Sequence, residues 1–213
     1  TSPCVDAAGQ NTDVGAMFFN IDSDDGGAIQ GWIAPDNPAA SARLLIQIPD
    51  REPIEHVAMM PRGDIRDLGI HNTGNVGFRI DESVVPGLRE TAEIAILEAE
   101  SGLPIYRRFR ADRHIDRKVA LFDCAVMPQR SIINAVGNAF ALNYNFAERY
   151  SFETMIVLLN NNFSTSIFVS GRPFLMRYQG YLRTNGYFTA ALLRDPFEEL
   201  AERLLFLNLI ANS

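Results

Sequence analysis

The chain has 213 residues, 47% of them hydrophobic and 21% charged, with a formal net charge of −7. This composition is that of an ordinary globular protein, and the length suits one large domain or two small ones. The acidic balance argues against general binding to nucleic acid or anionic membranes. No apolar run approaches the ~20 residues of a membrane-spanning helix, so we expect no membrane span.

The N-terminal residues show no targeting segment. Residues 1–6 lack the basic start and apolar block of a signal peptide. The two cysteines, Cys4 and Cys124, lie far apart without metal-ligand spacing, and nothing in their positions gives a basis for a disulfide. We therefore expect a reduced, cytoplasmic protein in which residues 1–16 form a loose polar arm.

Residues 17–112 contain short apolar runs separated by turn residues such as Asp-Gly-Gly and Pro-Asp-Asn-Pro. The runs recur roughly every ten residues, which predicts a small β-sandwich. One helical turn is predicted over 62–69. The predicted strands are 17–21, 28–33, 43–48, 54–58, 76–80, 93–98 and 105–109.

A charged stretch at 111–118 without apolar periodicity marks the predicted boundary between two domains. Beyond it, over 113–213, strands alternate with helices, which predicts a parallel sheet covered on both faces. A sheet of three strands is small, so the possibility that the natural domain continues past Ser213 stays open. The predicted strands are 119–125, 166–170 and 187–193, and the predicted helices are 131–143, 152–161, 174–183 and 196–211.

The junction between the last predicted strand and the last helix carries the strongest local signal. Arg194 ends the strand, Asp195 can cap the helix, Pro196 suits the first helical position, and Glu198 completes a capping box. Open α/β sheets hold phosphate groups where a strand ends beside the N-terminus of the next helix. Arg194 is therefore a candidate phosphate ligand, with a solvated turn as the plain alternative.

A similar junction follows the first strand of this half, where Gln129, Arg130 and Ser131 lead into a helix. Backbone N–H groups at such a turn can bind an anion. Ser131 can cap the helix, contact a phosphate, or do both. The glycines, lysine and serine of a P-loop are absent, so a plain turn is an equal interpretation.

Three strand-end segments, taken in order, resemble the front part of a carbohydrate-type sulfotransferase domain. They are Met127-Pro128-Gln129-Arg130-Ser131, Val169-Ser170-Gly171-Arg172-Pro173 and Leu193-Arg194-Asp195-Pro196. In that family the first segment grips the 5′-phosphosulfate of 3′-phosphoadenosine 5′-phosphosulfate, and the arginine of Leu-Arg-Asp-Pro holds the 3′-phosphate. The resemblance implies a three-layer, sulfotransferase-like α/β fold, with Arg194 at the 3′-phosphate.

The same resemblance implies that the backbone from Gln129 to Ser131 surrounds the phosphosulfate, and that Ser170 and Arg172 line the pocket. The chain departs from the family where Gln129 replaces a lysine, Arg172 a histidine, Glu199 an arginine and Glu202 a serine. Carboxylates beside a 3′-phosphate oppose its binding. The sequence names no catalytic base, so it leaves open whether the chain is an active enzyme.

The first half has its own resemblance, carried by Gly31-Trp32, the segment 62–69 and Gly77-Phe78. It is similar to β-sandwich modules that accompany bacterial transferases modifying surface polysaccharides. Together the two resemblances imply transfer of a sulfuryl group to a carbohydrate hydroxyl. The alternatives are a non-catalytic glycan-binding or assembly module with a degenerate nucleotide site, and another nucleotide-dependent α/β transferase. The sequence predicts no metal site and no particular oligomeric state.

Overall fold

The computed structural model describes residues 16–109, 112–125 and 129–211. In chain order the first half contains β1 (Phe18–Asp24), β2 (Ala28–Ala34), β3 (Arg43–Gln47), β4 (Ile54–Val57), β5 (Met60–Pro61), α1 (Gly63–Asp67), β6 (Asn75–Asp81), β7 (Ile94–Glu98) and β8 (Pro104–Arg108). These strands form two antiparallel four-stranded sheets, with the orders β1-β2-β6-β5 and β4-β3-β7-β8.

The strands predicted for this half are all present, with end points shifted by at most three residues, and the predicted helical turn is α1. They were predictable because inward-facing apolar residues alternate with outward-facing ones. Ile29 and Ile33 of the first sheet and Leu44 and Ile46 of the second are fully buried and belong to one hydrophobic cluster. The two-residue strand β5 was not predicted because it is too short to carry a pattern.

The second half contains β9 (Lys118–Asp123), α2 (Arg130–Gly137), β10 (Leu142–Tyr144), α3 (Phe152–Leu159), β11 (Ile167–Gly171), α4 (Gln179–Thr184), β12 (Phe188–Leu192) and α5 (Pro196–Ala211). Its strands form a parallel sheet with the order β10-β11-β9-β12. The described part of the chain is therefore a mixed α/β structure with one parallel and two antiparallel sheets. Short 3₁₀ helices, Ala147–Arg149 and Pro173–Tyr178, precede α3 and α4.

Helices contact both faces of the parallel sheet. On one face, Ile133 of α2 packs with Phe168 of β11. On the other, Leu158 of α3 and Leu182 of α4 share a cluster with Val169, the next residue of β11. Because successive residues of a strand point to opposite faces, this places α2 on one side and α3 and α4 on the other.

The predicted helix over 131–143 is wrong in its second half. The helix ends at Gly137, where the side chain of Asn143 occupies the space that a Cβ would need. The following residues form β10, in which Leu142 and Tyr144 are fully buried and Asn143 is half-buried. This alternation of period two was hidden by the apolar spacing of the preceding helix, so the predicted sheet lacked one strand. The helix predicted over 174–183 is instead a 3₁₀ helix followed by α4.

The two halves contact each other directly. The N–H of Met17 donates to the hydroxyl of Thr154 at 2.9 Å, and the hydroxyl of Tyr144 donates to the carbonyl of Pro104 at 3.1 Å. Buried residues of the antiparallel sheets and of the parallel sheet belong to one cluster. The division into domains at 112 and 113 stays a prediction. No helix among the described residues is long and apolar enough to cross a bilayer.

Candidate functional site

The topology of the parallel sheet places a crevice beyond its central strands. β9 lies between β11 and β12, and the chain leaves β9 toward α2 on one face but leaves β11 toward α4 on the other. In open α/β sheets, ligands bind at the carboxyl ends of neighbouring strands whose connections diverge in this way. The described parts of the three sequence-predicted segments all lie at this edge. Met127 and Pro128 lie outside the described residues.

Asp123, the last residue of β9, organises the turn at the crevice. Its carboxylate is 2% exposed and accepts hydrogen bonds from the N–H groups of Ala125 at 3.1 Å and Gln129 at 3.2 Å. None of the sequence motifs assigns a role to Asp123. The available signal was an aspartate at a strand end, where its side chain can bond to the backbone of the following turn.

The turn delivers the chain to the N-terminus of α2. Gln129 is the N-cap residue, so the suggestion that Ser131 caps the helix is wrong, and Ser131 is exposed. The Gln129 side chain makes no capping hydrogen bond, and the first turn of α2 holds no acid. The N–H groups of Arg130, Ser131 and Ile132 precede the first intrahelical bond, from Ile133 N–H to Gln129 C=O. Such an N-terminus favours an anion.

Arg130 stands beside this helix end as an exposed cation. Its guanidinium carbon lies 5.4 Å from the centre of the Phe146 ring, within the range of a cation–π contact. Phe146 has φ 58°, a left-handed conformation that costs a non-glycine residue about 1–3 kcal/mol. The strained residue thus presents its ring where it supports Arg130.

Ser170 holds Phe146 in place rather than facing the crevice. The Ser170 side chain is fully buried, and its hydroxyl accepts from Phe146 N–H at 3.3 Å and donates to Asn145 Oδ1 at 3.2 Å. The Asn145 amide in turn donates to Asn134 of α2 at 3.0 Å. This chain of bonds ties the ends of β10 and β11 to α2. Ser170 is therefore a positioning residue for the site.

Arg172 lies next to the turn after β9. Its guanidinium is half-buried and donates to the backbone carbonyl of Ala125. The structure thereby brings Arg172 to the same turn that Asp123 folds and that leads to Arg130. The positive charge of Arg172, which directly follows β11, therefore lies at the same turn as the N-terminus of α2.

Arg194 is engaged by carboxylates of α5. Its guanidinium donates to Glu202 and, at 3.3 Å, to Glu198, and the hydrogen bond with Glu202 raises the pKa of Arg194 above its ordinary value. Asp195 caps α5 as predicted, accepting from the N–H groups of Phe197 and Glu198. Arg194 is at the predicted edge of the sheet, but it could meet a phosphate only by exchanging these acidic partners.

A cavity of about 410 Å³ lies beside β9 and β12 on the face covered by α4. Phe122, Leu182 and Tyr187 supply apolar surface, and Gln179 and Arg183 supply polar groups. This volume falls within the range of about 300–1,000 Å³ of small-molecule sites, and its lining combines aromatic surface with a few polar groups. The cavity offers room for a planar ring.

A smaller cavity, of about 210 Å³, lies between β1 and α3. Trp32 and Phe163 contribute aromatic surface, and Asn20, Asn160 and Asn161 contribute carboxamides. Its lining among the described residues contains no charged side chain. Aromatic faces with amide donors and acceptors suit a neutral, hydroxyl-rich ring.

Comparisons with known proteins identify no relative. No protein-family model matches the chain, and no curated protein or solved structure matches it either. Within the described residues, no three or more His, Cys, Asp or Glu side chains gather as a possible metal site. Cys124 is a free thiol, and Cys4 lies outside the described residues.

Proposed function

We propose that the chain is a sulfotransferase-like protein that transfers a sulfuryl group from 3′-phosphoadenosine 5′-phosphosulfate to a carbohydrate hydroxyl. The observation that carries the proposal is the start of α2 after β9, where the first turn holds Arg130 and no acid, Arg172 lies at the preceding turn, and the Asp123 carboxylate is engaged by the N–H groups of that turn. The parallel sheet would then belong to a three-layer transferase domain, and the antiparallel sheets to a β-sandwich module of a cytoplasmic protein.

The residues at the crevice fit the anionic end of this donor. The first-turn N–H groups of α2 and the charge of Arg130 suit a phosphosulfate, and Arg172 adds a second cation at the turn. The donor supplies the sulfuryl group, whose negative charge spreads during transfer and is stabilised by fixed hydrogen-bond donors. Gln129 offers a neutral amide where the family has a lysine, which predicts slow transfer.

Calorimetric titration of the 213-residue chain with 3′-phosphoadenosine 5′-phosphate tests the nucleotide site. We expect micromolar binding that Arg130→Gln weakens at least tenfold, because that variant removes the exposed cation at the helix N-terminus. Arg43→Gln is the matched control. Arg43 lies on β3, far from the crevice, and is an exposed arginine paired with Glu100. A folded chain that does not bind this nucleotide would rule the proposal out.

A non-catalytic glycan-binding module is the second candidate. It is favoured by the neutralised charge of Arg194 and by the uncharged aromatic cavity between β1 and α3. Binding of a neutral oligosaccharide without any nucleotide, and its loss in Phe163→Ala, would support this candidate. Phe163 is 41% exposed, so the substitution leaves the core intact. Appearance of a sulfated product would reject it.

A further inference from the structure

Helix α5 turns its apolar side toward solvent. Phe197, Leu200, Leu204 and Leu207 are 82%, 54%, 55% and 61% exposed. On another side of the helix the carboxylate of Glu202 accepts from Arg194, which precedes the helix in the chain. An amphipathic helix of a globular protein normally buries its apolar stripe instead.

The ion pairs explain why the helix holds this orientation. Arg194 lies at the end of β12 and contacts Glu198 and Glu202, which are separated by about one helical turn. Asp195 fixes the first turn by accepting from Phe197 and Glu198 N–H groups. These polar contacts fix the start of α5 relative to Arg194 and do not involve its apolar stripe.

The stripe is large enough to form an interface. An aromatic side chain carries about 150–250 Å² of surface and a leucine somewhat less, so the exposed fractions of the four stripe residues, with Leu205 beside them, add up to on the order of 500 Å². Two such surfaces bury about 1,000 Å² in total, the lower limit for a specific interface. An interface of this size lies at the low end of the range, where weak or transient association is usual.

We propose that α5 packs antiparallel against α5 of a second copy of the chain, about a two-fold axis. The stripe residues are spaced three, four and three positions apart, a spacing that reads the same in both directions. An antiparallel partner centred at residue 202 therefore places Phe197 opposite Leu207 and Leu200 opposite Leu204, each pair occurring twice. The antiparallel arrangement also brings opposite ends of the two helix dipoles together.

Sedimentation equilibrium of the full chain over the micromolar range tests the interface. We expect a monomer–dimer equilibrium whose dissociation constant rises at least tenfold in Leu200→Glu and in Leu204→Lys. Both leucines are more than half exposed, so neither variant disturbs a core. Leu68→Glu, at a 72% exposed leucine that follows α1, is the control and should dimerise like the wild type.

Mixing the two variants tests the pairing itself. In the antiparallel heterodimer, the glutamate introduced at position 200 of one copy lies opposite the lysine introduced at position 204 of the other. At the second, symmetry-related contact, the native Leu204 of the first copy still meets the native Leu200 of the second. The mixture should therefore recover a heterodimer to within a few-fold of the wild-type dissociation constant. A wild-type chain that stays monomeric, leaving the stripe to a different partner, would overturn the proposal, and so would a mixture that fails to recover.

Discussion

Arg108 at the end of β8 and Asp24 at the end of β1 form a side-on ion pair that joins the two antiparallel sheets. Arg108 Nε donates to Oδ2 of Asp24 at 2.8 Å and Nη2 donates to Oδ1 at 2.5 Å, with side chains only 16% and 10% exposed. The guanidinium also donates to the carbonyls of Leu88, Thr91 and Gly26, and the hydroxyl of Tyr106 donates to the Asp24 carboxylate. Such bidentate pairs are geometrically specific.

Removal of Arg108 should destabilise the fold strongly. Arg108→Met leaves the Asp24 carboxylate nearly buried and without its cation, which costs about 3–5 kcal/mol of unfolding free energy in comparable pairs. Arg79→Met is the matched control, because the Arg79–Asp81 pair is exposed and such pairs contribute about 0–1 kcal/mol. Urea denaturation of both variants measures the difference, and equal losses would contradict the assigned role of the Asp24 pair.

The same pair predicts a pH dependence. Burial alone would raise the pKa of Asp24, but hydrogen bonds from Arg108 and Tyr106 outweigh it and hold the pKa below its ordinary value of 3.8. A depressed folded-state pKa contributes stability that is present above the unfolded pKa and is lost as the pH falls through the folded pKa. The stability difference between wild type and Asp24→Asn should therefore shrink below about pH 4, and a difference independent of pH would be contrary to expectation.

The acids around Arg194 should compete with any phosphate at that residue. Glu202→Gln removes one carboxylate partner that competes with a phosphate for the Arg194 guanidinium, so the affinity for 3′-phosphoadenosine 5′-phosphate should rise roughly two- to fivefold. Glu90→Gln, at an exposed acid between β6 and β7, controls for net charge. Calorimetric titration measures both, and an unchanged affinity in Glu202→Gln would place Arg194 outside the nucleotide site.

Sequence patterns predicted the helices and strands better than they predicted the hydrogen-bond and ion-pair partners of the side chains. β1 and β3 follow from alternation, and α5 begins at Pro196 as its cap and Pro signals indicate. β10 was missed because its alternation covers only three residues and is hidden by the helical apolar spacing that precedes it. The hydrogen bonds of Asp123 and Ser170 depend on the backbone path of neighbouring segments. Composition and residue spacing do not specify that path. The acids near Arg194 were visible in the sequence, but their ion pairs depend on the orientation of α5.

Two glycines should respond in opposite directions to alanine. In β2, a Cβ at Gly31 would press against the carbonyl of Asn20 and the Phe78 ring, so Gly31→Ala should cost about 1–3 kcal/mol. In α4, no atom of the described residues beyond the adjoining helical segment lies within 4 Å of the Cβ position of Gly180, so Gly180→Ala should stabilise the helix by about 0.5–1 kcal/mol. Thermal or urea unfolding decides the signs, and a neutral Gly31→Ala would show that β1 and β2 can move apart.

The contacts between the two halves predict a single cooperative unfolding transition. Trp32, the sole tryptophan, reports on β2, whereas the far-ultraviolet circular dichroism of helices reports mainly on the second half. Because one hydrophobic cluster spans both halves, the two signals should change at the same urea concentration. Tyr144→Phe removes the hydrogen bond to Pro104 and should lower both midpoints together, by about 1 kcal/mol of stability. Two separate transitions would instead establish independent domains on either side of residue 112, with the Tyr144 bond acting only as a link between them.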